Sequence, residues 1–252
     1  MAKPRIPEGR SSIQSRLRPP NDAELRAIPW LAELEPAARR RVEPAIVVAE
    51  VQPGELLCRI GGPPNYWFGV IEGLLKMSND RVDGSPITYS GLPPGGWFGE
   101  GTLLKREPYR YNIQTLRRSI VAGLPSDDFH SLLDFSILFN RFIMNQFNER
   151  LGQFIAAHET DRLNPDARVA RSLAGLFNPV LFPGVGGNLL RITQQELAYL
   201  VGLSRQRVNE ALLTIQERGA IRIEYGGLRV VDLPALRNGN FGRDKAAATS
   251  PI

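Results

Sequence analysis

One cysteine and two histidines are all that this 252-residue chain holds of those residue types. With Cys58 alone, a disulfide within the chain is excluded, and so is an iron–sulfur cluster held by four cysteines of one chain. His130 and His158 have no second ligand at metal-ligand spacing, so each reads as structural and no metal site is expected. No apolar run approaches the ~20 residues that a membrane span needs. No apolar signal-peptide core stands near the N-terminus, so the expectation is a cytoplasmic protein without membrane contact. Neither GxxxxGK[ST] nor GxSxG occurs. The glycine-rich pieces at 95–101 and 184–187 lack a βαβ context. No catalytic residue is expected, and the chain reads as a non-enzyme.

The formal net charge is +5. Its location matters more than its size. Residues 1–20 carry Lys3, Arg5, Arg10, Arg16 and Arg18 against Glu8, which is +4. Residues 237–252 carry Arg237, Arg243 and Lys245 against Asp244, which is +2. The basicity therefore belongs to the ends. Residues 1–20 read as a disordered basic arm and 237–252 as a disordered tail, with auxiliary phosphate contact as the functional alternative.

The most telling stretch is 192–230. A helix spans about 194–200, and Gly202 follows where a tight turn needs a residue without a Cβ. Ser204 stands at an N-cap position. A second helix then opens with Arg205, Gln206, Arg207, Asn209 and Glu210 in its first two turns. An Arg-Gln-Arg cluster there faces the positive end of the helix dipole, which suits a site that meets an anion. This is a helix-turn-helix with base-reading side chains on the first half of its second helix. The hairpin 220–224 and 228–231, closed by Gly226-Gly227, makes it a winged helix.

Upstream the texture is different. Short helices are expected at 21–26 and 36–42, then short apolar strands alternate with glycine and proline turns over 45–125. That spacing suggests an all-β sandwich or barrel with room for about eight strands. Ser126 begins a short helix, and a longer one runs over about 136–160. On it Met144, Phe147, Leu151, Phe154 and His158 recur at alternating spacings of three and four, widened by Ile143 and Ile155. The stripe has two readings: packing on its own domain's sheet, or a homodimer seam. The seam is favoured because the chain also carries a half-site reader.

A β-roll, a long helix and a C-terminal winged helix, in that order, resemble the catabolite activator (Crp)/Fnr family of bacterial transcription regulators. Two motifs carry the resemblance: Thr193-Gln194-Gln195-Glu196-Leu197-Ala198 through to Val208-Asn209, and Phe98-Gly99-Glu100-Gly101 followed by Arg110. The family fold implied is α+β: a cyclic-nucleotide-binding-like β-roll (jelly roll), a dimerisation helix and a winged helix-turn-helix. The resemblance implies that Glu100 meets a ribose hydroxyl, that Arg110 pairs with a cyclic phosphate, and that Thr193 and Gln194 meet DNA phosphates. Tyr111 departs from the family's small hydroxyl residue after the arginine. Gln153 and Phe154 stand where its cyclic-AMP binders carry Thr and Ser. Two readings of Glu100 and Arg110 stay open: a structural ion pair retained after ligand binding was lost, or a pocket for an anionic ligand.

The expected organisation is an arm at 1–20, an effector-type roll at 21–126, dimerisation helices at 127–163, a winged helix at 164–236 and a tail at 237–252. The expected function is a homodimeric transcription regulator on an inverted-repeat operator in double-stranded DNA. Thr193, Gln194, Ser204, Arg205, Gln206, Arg207, Asn209 and Glu210 form its DNA contacts. Gly99, Glu100, Arg110, Tyr111, Gln153 and Phe154 line the candidate effector pocket. RNA polymerase is a further candidate partner, and a nucleotide-like or other anionic effector the candidate ligand. The alternatives are a small-molecule sensor in which ligand binding to the roll is primary, and a winged helix that docks a protein.

Overall fold

The computed structural model describes residues 13–80, 86–160, 164–186, 189–239 and 241, and the side chains of 80, 86 and 157–160 are also outside that description. Two short helices, α1 (Asp22–Arg26) and α2 (Pro36–Val42), precede the strands β1 (Val47–Val51), β2 (Leu56–Cys58), β3 (Tyr66–Glu72), β4 (Leu75–Asp80) and β5 (Pro86–Leu92). After β6 (Trp97–Phe98) comes a one-turn helix, α3 (Glu100–Lys105), then β7 (Asn112–Thr115) and β8 (Ser119–Pro125). The strands form two antiparallel four-stranded sheets, ordered β1-β8-β3-β6 and β2-β7-β4-β5. Val51, Phe68, Val70, Leu75, Phe98 and Ile113 fill the space between them. This is the expected roll with its eight strands. Periodicity misses α3 because six residues are too few to show a helical repeat.

Helices cover the outer face of the first sheet. Trp30, Trp67 and Trp97 meet there with ring centroids 4.4–5.3 Å apart. Gly69 makes room for them: a Cβ at that position would lie 2.2 Å from the Trp97 ring. Phe129 and Leu132 of α4 (Ser126–Phe135) and Phe139, Phe142 and Ile143 of α5 (Ile137–Thr160) close the cluster. Ser136 separates the two helices. Its hydroxyl accepts from the Phe139 N–H at 3.1 Å and donates to Glu35 at 2.7 Å, so it caps α5.

The long helix has two apolar faces, and the stripe divides between them. Phe139, Phe142, Ile143 and Gln146 turn inward and are buried. Met144, Phe147, Leu151, Phe154 and Ile155 turn outward, with exposures of 69, 38, 58, 65 and 55%. Ile143 thus belongs to the inner face and Ile155 to the outer one. The backbone of His158 continues the helix, but its side chain lies outside the described residues.

The C-terminal part comprises α6 (Pro165–Gly175), β9 (Leu189–Leu190), α7 (Gln194–Val201), α8 (Arg205–Glu217), β10 (Ile221–Glu224), β11 (Gly227–Val230) and α9 (Leu233–Asn238). The wing pairs Ile221 with Val230 and Glu224 with Gly227, and Gly226 takes φ 74° at its turn. Leu190 adds the third strand by pairing with Leu228.

Both ends correct the reading from composition. Residues 13–20 pack on the roll: Ile13–Arg16 form a 3-10 turn, Arg16 pairs with Glu55, and Arg18 bridges Val48 through both backbone groups at 2.8–2.9 Å. Arg18 also donates to Glu24 at 2.8 Å, which holds that carboxyl below the usual range. The charges of Arg16 and Arg18 read as solvated because no local pattern marks their partners, Glu55 and Glu24. At the other end Arg237 lies in the last turn of α9, and Phe241 is buried in the winged-helix core. Residues 1–12, 240 and 242–252, which hold the rest of the arm and tail, lie outside the described residues.

Candidate nucleic-acid interface and effector cassette

Local capping chemistry builds the helix-turn-helix. The Thr193 hydroxyl accepts from the Glu196 N–H at 3.1 Å, and the Glu196 carboxylate accepts from the Thr193 N–H at 2.7 Å, a reciprocal capping box. Gly202 ends α7 in the left-handed region at φ 69°. The Ser204 hydroxyl accepts from the Arg207 N–H at 3.2 Å and starts α8. Val208, Ala211, Leu212 and Ile215 then bury one face of α8, which turns Arg205, Gln206 and Glu210 to solvent.

The eight candidate DNA contacts do not all point outward. Arg205 is exposed and has no hydrogen-bond or ionic partner among the described residues. Gln206 donates to Glu210 at 3.2 Å, and Gln194 donates to Asn209 at 2.6 Å, so these amides stand pre-ordered on the open face. Arg207 is less open. Its guanidinium turns back to the buried carboxylate of Asp166 on α6 at 2.6 Å, with Glu210 at 3.3 Å. A buried carboxylate demands a cation more strongly than an exposed helix start does, so Arg207 ties α8 to α6. Thr193 is exposed, and its hydroxyl also donates to Glu196 at 2.9 Å, so it serves the cap. Asp166 was not singled out from sequence, and its place in the first turn of α6 gives only a dipole signal.

The roll cassette departs further from the resemblance. Gly99 opens α3 at φ 99°, and a Cβ there would meet the Tyr109 hydroxyl at 3.1 Å. Glu100 is buried, 4% exposed, and faces the long helix instead of Arg110. Arg150 of α5 donates to it at 2.7 Å and also binds the Trp97 carbonyl. Arg110 points to solvent and donates to Glu107 at 2.7 Å. Of the two readings left open for Glu100 and Arg110, the ion pair between them is not formed, because a cation from α5 has the buried acid already. Glu100 keeps its other oxygen, Oε2, buried with no partner.

Tyr111 is largely buried against the inner roll core, its ring 5.7 Å from that of Tyr109 in an edge-on arrangement. Burial raises the titration of its phenol, with a hydrogen bond to Thr102 opposing. Burial likewise pushes the Cys58 thiol up to about 12, so Cys58 is an inert core residue. Gln153 does not face the cassette; it donates to the Gly175 carbonyl at 2.8 Å and fastens α5 to α6. Phe154 is on the outer face of α5. Gly101 lies under Phe147, so the cassette's helix abuts the outer stripe. Arg150 went unnoticed in the sequence, where a lone arginine on an amphipathic helix carries no signal.

Residues 48–135 match the cyclic nucleotide-binding domain, and residues 167–238 match the Crp-like helix-turn-helix domain. The transcriptional regulator LdrP of Thermus thermophilus is 30% identical over 169 residues, 66% of this chain and 82% of that protein. The chain belongs to the Crp/Fnr family. It is thus a DNA-binding transcription regulator with a nucleotide-binding-like sensor domain. A CRP-like cAMP-activated global transcriptional regulator of Mycobacterium tuberculosis is 26% identical over 209 residues, 77% of this chain and 92% of that one. Among solved structures, FixK2 from Bradyrhizobium japonicum aligns with a TM-score of 0.62 at 15% identity, covering 77% and 96% of the two chains. That likeness confirms the fold of this Crp/Fnr regulator. No helix among its described residues is long and apolar enough to cross a membrane.

Proposed function

We propose that this regulator acts as a homodimer on an inverted-repeat operator, with Arg205 reading a guanine in each half-site. The observation that carries the reading is Arg205 itself: first residue of α8, exposed, and without a partner among the described residues while its neighbour Arg207 is turned to Asp166. A free guanidinium at that place suits bidentate donation to guanine O6 and N7. Gln206, Asn209 and Glu210 supply further donors and acceptors for base edges, and Gln194 one for a phosphate. The outward stripe of α5 provides the two-fold seam, which sets the recognition helices about 34 Å apart. Binding titrations on single-base operator variants test this. Arg205→Ala should relax choice at one base pair per half-site, at about 1–3 kcal/mol for the matched base. An equal loss on every sequence would make Arg205 a phosphate clamp.

The roll supports a second reading, a nucleotide-like or other anionic effector held differently from cyclic AMP in a cyclic-AMP-activated relative. The orphan Oε2 of Glu100 suits a ligand hydroxyl. Against a cyclic phosphate stand Arg110, turned outward, and Tyr111, which fills space beside it. Each hydrogen bond lost to a buried phosphate costs about 1.5–3 kcal/mol. Calorimetry with cyclic AMP, cyclic GMP and a cyclic dinucleotide decides. Micromolar cyclic AMP binding that disappears in Arg110→Ala would overturn the reading.

A further inference from the structure

The winged helix is fastened to its own roll at both ends of α7. At the N-terminal end Arg117, in the β7–β8 turn, places its guanidinium 2.9 Å from Glu196 Oε1 and donates to the Arg191 carbonyl at 2.6 Å. Glu196 is the acid of the α7 capping box, so one carboxylate serves the cap and the roll together. At the other end the Thr88 hydroxyl of β5 donates to the Tyr199 carbonyl at 3.1 Å. That carbonyl lies in the last turn of α7, where a helix runs out of its own donors. The Leu203 N–H that could have served it is given to Ala198.

Apolar contact joins these two points. Leu74 is part of the winged-helix core, and Leu116 packs against it. Gly91 of β5 sits so close that a Cβ would lie 2.8 Å from side-chain carbons of both Leu176 and Leu200. None of this covers the reading face, since Arg205, Gln206 and Glu210 stay exposed in the docked arrangement.

We propose that Arg117 and Thr88 are positioning residues for DNA reading: by gripping the two ends of α7 they fix the angle of the winged helix on the roll, and hence the separation of the two recognition helices. The inference rests on the dimeric reading above. It is tested with full-length protein on an inverted repeat that the wild-type protein has selected from random duplexes. The same half-sites are also tested one and two base pairs closer and farther apart, and a single half-site serves as control. Wild type should prefer its own spacing by tenfold or more. Arg117→Met combined with Thr88→Val should flatten that preference to within about threefold while leaving single-half-site affinity and base preference as in wild type, and Arg117→Lys should restore part of it. A double variant with the wild-type spacing profile overturns the proposal. So does one that loses half-site binding too, because the contacts then merely support folding. A wild-type protein indifferent to spacing would instead defeat the dimeric reading, and the positioning role with it.

Discussion

The winged helix and the roll cassette carry equally clear family motifs, yet only one keeps its expected geometry. In the winged helix, Gly202 and Ser204 do what their places in the sequence imply. In the cassette, Glu100 and Arg110 keep their spacing but part company, one to Arg150 and the other to Glu107. The difference is one of range. A cap or a turn is decided within three or four residues by backbone donors that are always present. An ion pair is decided by whichever opposite charge the fold brings nearest, and Arg150 arrives from an element fifty positions away.

The sharpest way to test the reading of the winged helix is to remove its dimer. Phe147→Glu with Leu151→Glu puts charge on the outward face of α5, where both side chains are exposed and Phe147 rests one ring edge near Gly101 of α3. The variant should sediment as a monomer and keep its fold. It should lose about 10²- to 10⁴-fold in affinity for a two-half-site operator, the avidity that linked half-sites provide. A dimeric double variant would place the seam elsewhere.

Arg150→Met should be the costliest change in the cassette. It leaves the Glu100 carboxylate buried without a cation, at about 3–5 kcal/mol. Urea unfolding would measure this. A loss below about 1 kcal/mol would show that Glu100 finds another partner or takes up a proton.

Much of the fold was legible because short-range rules dominate it. The eight strands and the wing follow from apolar runs punctuated by glycine and proline. The two faces of α5 were legible as a widened stripe, but only packing separates Ile143 from Ile155. Tertiary charge pairing was not legible. Arg16 with Glu55, Arg207 with Asp166 and Arg117 with Glu196 each join distant segments, and no local pattern marks them. The same blindness made the ordered residues 13–20 look like a solvated arm and hid the tie from Arg207 to Asp166.

In the winged helix, Ser204→Ala should cost about 1 kcal/mol of stability through loss of one N-cap. Base preference should be unchanged, because the cap sets where α8 begins and the proposed reader is Arg205. Thermal unfolding and titrations on single-base variants together check both halves. A changed base preference would place Ser204 itself against a base.

The smallest effect is expected at Arg110, the residue whose spacing carries the strongest family echo. Its guanidinium is mostly in water and pairs with Glu107, three residues away. Exposed pairs of this kind contribute between nothing and about 1 kcal/mol. Arg110→Ala should therefore leave unfolding in urea and operator affinity within about 0.5 kcal/mol of wild type. The contrast with Arg150→Met, in the same cassette, is the point of the experiment. If Glu100 is committed to the long helix, the two arginines differ by several kcal/mol in stability. If instead a cyclic nucleotide tightens operator binding and Arg110→Ala abolishes that response, Arg110 must leave Glu107 and turn inward when ligand arrives. The outward arrangement would then be the unliganded state of a working pocket, and the cassette would rejoin the winged helix as a region whose sequence motif states its role.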